Sequence, residues 1–158
     1  MPKIHKVQEL PEETLIANNM SKIDYFDSYK VITNTNDSIQ EIVKKALTFP
    51  GWITFALKVR YYLLVKPFGL SSGTRDDITG KSEIVPIIEE NENEVVMGQN
   101  DKHLYYRISF MKKAVTQGTE IYLNTVVRFN NIWGKIYFIP VKIGHKLVVK
   151  SVLQRLAN

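Results

Sequence analysis

The stretch NDKHLYYRISF, Asn100 to Phe110, carries an imidazole, a phenol and a guanidinium at alternate positions: His103, Tyr105 and Arg107. A strand sends alternate side chains to opposite faces, so these three share one face and Leu104, Tyr106, Ile108 and Phe110 share the other. Given a substrate, such a trio supplies an acid, a base and an anion holder. The plainer reading is the wet back of a sheet whose apolar front packs, and the flanking residues favour it. NEVVMG and HLYYRIS read as two arms of a hairpin about GQND, in which Glu94 and Arg107 form a cross-strand ion pair.

Arg128 lies within the apolar NTVVRFN, where Val127 and Phe129 take one face and Arg128, Val126 and Asn124 the other. On a packed face Arg128 would be a buried cation that needs a carboxylate or an anionic ligand head group. His145 falls on the apolar stripe of the last helix, as a satisfied core histidine or as a polar fixture that orients a ligand in an oily pocket.

Other chemistry is poorly supported. The three histidines, His5, His103 and His145, sit on separate elements, and the chain has no cysteine, so thiolate catalysis, disulfides and Cys-ligated metal are excluded. Glu89, Glu90, Glu92 and Glu94 lack the calcium-loop spacing. TGKS, Thr79 to Ser82, has Arg75 where a phosphate-binding loop needs glycine, and a strand-like run follows it. No G-x-S-x-G occurs. No metal or cofactor is therefore expected. Lys142, Lys146 and Lys150 read as a solvated helix face and not a membrane dock, since bilayer binding also needs exposed apolar residues and those nearby are assigned to the core.

The elements that position these residues follow from the patterning. With 158 residues, 44% hydrophobic and 23% charged, the chain suits one globular domain, expected over 22–158 behind an N-terminal arm over 1–21. KIDYFDSYKVI predicts a first strand, with Tyr25, Asp27 and Tyr29 alternating against Phe26, Ser28 and Lys30. Ser38 and Glu41 form a capping box at the start of a short helix that runs to about Leu47. Pro50 opens a second helix with the stripe Trp52, Phe55, Ala56, Val59, Tyr62 and Leu63, closed by Pro67 and Gly69. After a polar loop come the strands EIVPIIEE, NEVVMG, LYYRISFMKK, EIYLNTVVRF and WGKIYFI, joined by ENEN, GQND and TQG, which predicts an antiparallel meander. A terminal helix then carries Val141, His145, Val148, Val149, Val152 and Leu156 on one stripe. The class is α+β, and a large antiparallel sheet of this kind curls, so that a long helix across its hollow face encloses a space.

DYFDSY, P-G-W, PFGL, NEVVMGQNDKHLYYRIS, TVVRFNN followed by Gly134, and YF followed by HKLVVKSVL together resemble an uncharacterised bacterial domain family of the START-like (SRPBCC), helix-grip superfamily. Its members occur alone or fused behind NAD(P)-binding reductase-like domains. The resemblance covers Asp24 to Leu153 and implies a curved antiparallel sheet gripping the C-terminal helix, with a pocket between them and no established chemistry. Two residues depart from the pattern: Tyr105 stands where Asp is more common, and Gly144 where an aromatic usually precedes the residue at 145.

The expected function is binding of a small hydrophobic or amphipathic molecule under the last helix. Its lining would come from Trp52, Phe55, Tyr106, Ile108, Phe129, Tyr137 and Val148, with Arg128 and His145 as polar fixtures; the same side chains would also fill a solid core. Rival readings are a cyclase- or isomerase-type enzyme using Tyr105, His103, Arg128 or His145, and an accessory domain that contacts a reductase-like partner. The net charge of +5 is too small to single out nucleic acid. Lys58 and Arg60 interrupt the longest apolar run, so no transmembrane segment is expected. The N-terminus resembles no export signal, and a cytoplasmic home is expected.

Overall fold

The computed structural model describes residues 3–48, 51 and 87–157. The expected helix after Pro50, with Trp52 and Phe55, and the polar loop that follows it lie outside the described residues.

Among the described residues six strands form one antiparallel sheet: β1 (His5–Lys6), β2 (Tyr25–Thr33), β3 (Ile87–Glu90), β4 (Glu94–Asn100), β5 (Leu104–Val115) and β6 (Gly118–Phe129). Their spatial order is β1-β2-β6-β5-β4-β3, an open sheet with a strand at either edge. The chain from β3 to β6 supplies four of the five strands expected of the meander, and β2 joins them beside β6, with Tyr25 opposite Val127 and Thr33 opposite Thr119.

Helix α1 (Ile39–Ala46) begins at the expected capping box. The Glu41 N–H donates to Ser38 Oγ at 3.2 Å, and the Ser38 N–H donates to Glu41 Oε2 at 2.8 Å. These bonds occupy amides that have no partner within the helix. Its buried face, Ile39, Ile42, Val43 and Ala46, follows the i, i+3, i+4, i+7 spacing that places side chains on one stripe.

The last helix, α2, spans Ile132–Ala157, so it contains WGKIYFI, which the patterning assigned to a strand. The helix starts where Asn131 Oδ1 accepts the Gly134 N–H at 3.2 Å, an N-cap bond that competes with strand extension. Pro140 lies inside the helix and does not begin it. Gly134 allows the close docking of this first turn: a Cβ there would stand 2.2 Å from the backbone oxygen of His103.

Both faces of the sheet are covered. On one, Tyr29, Val31, Val95, Phe110, Ile121 and Leu123 pack with α1 and with Val149, Val152 and Leu153 of α2. Further along the same face, Leu104 and Val127 pack with Tyr137 and Phe138 of α2. The opposite face is not wet as expected. Ile16, Val96 and Val126 are buried there, with Leu10, Leu15 and Met20 of the N-terminal arm packed on them.

The Glu94–Arg107 ion pair is absent because the register separates the two residues. Glu94 stands opposite Met111, and Arg107 opposite Gly98. Glu94 is instead buried, accepting from Thr14 Oγ1 at 2.5 Å and from the Leu15 N–H at 2.6 Å, and so it anchors the arm. Arg107 folds over Gly98, where a Cβ would come within 2.8 Å of its Cδ. Its Nη1 donates to Tyr106 O at 2.9 Å and its Nη2 to Asn100 Oδ1 at 2.8 Å. Between these two anchors a buried polar row crosses three strands: Ser28 Oγ donates to Asn124 Oδ1 at 2.6 Å, and Asn124 Nδ2 donates to Ser109 Oγ at 3.0 Å.

Candidate functional site

β2 alternation sends Tyr25, Asp27, Tyr29 and Val31 toward α2. Three of these suit an oily layer, whereas Asp27 places a carboxylate there and is only 2% exposed. An isolated buried carboxylate is costly, so its partners define the site.

Three side chains meet it. Tyr25 donates its hydroxyl to Asp27 Oδ2 at 2.6 Å. His145 of α2 brings Nε2 to 3.1 Å from Asp27 Oδ2. The same Nε2 lies 3.1 Å from Thr125 Oγ1, on the strand residue directly opposite Asp27. A carboxylate only accepts, so Nε2 is the ring nitrogen that carries hydrogen toward it. Lys142, one turn before His145, sets its ammonium 5.0 Å from the centre of the Tyr25 ring, a cation–π distance.

The electrostatics follow from this arrangement. Burial pushes the Asp27 carboxyl up, but the hydrogen bond and charge of His145, with the Tyr25 and Thr125 hydroxyls, outweigh it and leave the group below its ordinary value. Burial, and then the hydrogen bond to the Asp27 carboxylate, push the Tyr25 phenol well above its ordinary value. A carboxylate, an imidazole and a hydroxyl in mutual contact can orient a polar group or relay a proton.

This polar knot lies between two apolar clusters. Val148 and Ile108 flank the α1-side cluster. Tyr25, Tyr106, Phe129 and Val141, each partly exposed, flank the cluster that contains Tyr137. The tilted ring pairs Tyr25–Phe138 and Phe129–Phe138 have centroids 4.8 and 5.6 Å apart. Of the residues singled out from sequence, Tyr106, Ile108, Phe129, Tyr137, His145 and Val148 thus share the face beneath α2.

Arg128 does not. Strand alternation turns it to the arm side, where its Nη1 donates to Ser21 Oγ at 2.9 Å and its guanidinium lies 5.2 Å from the Tyr105 ring centre. His103 is also elsewhere, its Nδ1 3.0 Å from Asn131 Nδ2 at the foot of α2, about 21 Å along the helix axis from His145. Sequence reasoning missed Asp27, Thr125 and Tyr25 as a group. The available signal was an aspartate in phase with Tyr25, Tyr29 and Val31.

No group of three or more His, Cys, Asp or Glu side chains able to hold a metal occurs among the described residues. None of their helices is long and apolar enough to cross a membrane.

The architecture is thus an α+β protein: an open six-stranded antiparallel sheet backed by a C-terminal helix, with a carboxylate–imidazole pair between the layers. The chain belongs to the family described as "Protein of unknown function (DUF2867)", whose model matches residues 20–152. That span includes Asp27, Thr125 and His145 and leaves most of the arm outside. Searches of curated proteins and of solved structures found no match.

Proposed function

We propose that the protein binds a small amphipathic or hydrophobic molecule between its sheet and α2, in the manner of helix-grip, START-like domains. The observation that carries this reading is the Asp27–His145–Thr125 knot set between two apolar clusters. A few fixed polar groups within an oily, aromatic lining are the usual means of orienting such ligands. The apolar part of the ligand rests against Tyr106, Phe129 and Tyr137, and its polar end meets His145 and Tyr25. The cysteine-free chain suits a reducing cytoplasm.

The test is native mass spectrometry of protein purified without detergent, before and after incubation with fatty acids, acyl amides and sterols. A retained or acquired small mass, with occupancy reduced in Tyr106→Ala and His145→Ala, supports the reading. An unliganded spectrum across the whole panel overturns it.

The second reading is an enzyme that uses the Asp27–His145 pair as its acid–base element. It is favoured by the 3.1 Å contact and by the adjacent Tyr25 hydroxyl, and it needs turnover of a bound compound that Asp27→Asn abolishes while binding persists.

A further inference from the structure

Helix α2 is apolar on two sides. Its inner side packs on the sheet through Tyr137, Phe138, Val149, Val152 and Leu153. Its outer side presents Ile132, Ile136, Ile139, Ile143 and Leu147 at spacings of 4, 3, 4 and 4, with Ile139 and Ile143 each 66% exposed and Trp133 53% exposed beside them. That spacing keeps the five on one stripe about 22 Å long. The apolar neighbours of Lys142, Lys146 and Lys150, expected in the core, are in part exposed, and the extension of the helix back to Ile132 gives them one continuous outer face.

Charge identifies what covers this face. Lys135, Lys142 and Lys146 recur at i, i+7 and i+11 along one flank of the stripe, Lys150 closes its far end, and α2 holds no Asp or Glu. Two copies of this helix pairing face to face would bring these lysine rows together with no carboxylate on either helix to meet them. An anionic lipid surface matches both features, since it takes isoleucines and a tryptophan into the headgroup–acyl boundary and holds lysines at the phosphates. The helix lies on such a surface and does not cross it, consistent with no helix among the described residues being long and apolar enough to span.

We propose that the outer face of α2 docks the protein on anionic membranes through Ile132–Leu147 and its lysine flank. The site described above lies beneath the inner face of the same helix, but the proposal does not rest on any ligand being bound there.

The experiment is vesicle flotation of the full chain with phosphatidylcholine vesicles containing, or lacking, a phosphatidylglycerol fraction. It is read together with Trp133 emission in a Trp52→Phe background. Expected are co-flotation with the anionic vesicles, a blue shift of Trp133, and loss of both at high salt. Lys135→Glu and Lys146→Glu should each weaken partitioning about fivefold or more, and Ile139→Glu/Ile143→Glu should abolish it, with unchanged circular dichroism and thermal midpoint showing that these variants fold. Failure to float with anionic vesicles at low salt overturns the proposal, as does equal partitioning to neutral vesicles. A dimer in sedimentation that Ile139→Glu/Ile143→Glu converts to monomer, without vesicle binding by the wild type, assigns the face to a second copy and likewise overturns it.

Discussion

Asp27 Oδ2 and His145 Nε2 stand 3.1 Å apart although 118 residues separate them in the chain. The contact links the second strand to the last helix through the apolar layer, so it serves both as a candidate site and as a fixture of the fold. Replacement of Asp27 by Asn keeps the shape and removes the charge that Tyr25, Thr125 and His145 are arranged around. It should cost about 1–3 kcal/mol in urea unfolding. A double-mutant cycle with His145→Gln should return a coupling of about 0.5–3 kcal/mol. Additive losses would show that the two side chains do not act as a pair.

Stability should also depend on pH at both extremes. The Asp27 carboxyl lies below its ordinary value in the folded protein, so its contribution is complete above the unfolded carboxylate range, roughly pH 4. It is lost as pH falls through the lower folded value. Tyr25 is shifted upward, so its contribution is complete below about pH 10 and declines as pH rises past the unfolded phenol value. Thermal midpoints measured against pH should lose their acid limb in part with Asp27→Asn, and their alkaline limb in part with Tyr25→Phe.

Two glycines of α2 should respond oppositely to the same change. At Gly134 an added Cβ meets the His103 backbone oxygen, whereas at Gly144 it meets nothing within 4 Å. Gly134→Ala should destabilise by about 1–3 kcal/mol through overpacking at a contact where the backbone must yield. Gly144→Ala should be neutral or stabilise by up to about 1 kcal/mol, as alanine does in an exposed helix interior. Denaturant midpoints of the two variants against wild type decide the matter.

The N-terminal arm should detach when its anchor is changed. Glu94 accepts from both Thr14 and the Leu15 amide, and a glutamine offers a single acceptor oxygen while turning a donor toward one of those donors. Glu94→Gln should therefore raise amide hydrogen exchange across Leu10–Ile16 and expose the apolar surface at Val96 and Val126, with far smaller changes in β5 and β6. Uniform exchange changes over the whole sheet would argue against a local anchor.

Much of the framework can be read along the chain because short-range rules govern it. The Ser38–Glu41 capping box, the 3.6-residue stripe of α1, the turns around Asn91–Asn93 and Thr116–Gln117, and the two-residue alternation of β2, β5 and β6 each depend on neighbours within a few residues. Where local rules conflict, caps and long-range contacts decide between them. WGKIYFI reads as a strand, yet the Asn131 cap starts α2 before it, and Gly134 lets the first helical turn seat on His103.

The sequence by itself determined an α+β chain, four strands of its meander but not the helical start of α2, a capped short helix and a histidine on the last helical stripe. Only the tertiary structure decided which face each strand turns inward, so Arg107 became a covered cation over Gly98, Arg128 turned to the arm, and Asp27 joined His145. Strand alternation is a local property and shows that two faces exist. Which face is buried, and what stands opposite, depends on register and on the segment that packs from afar, here the N-terminal arm on one side and α2 on the other.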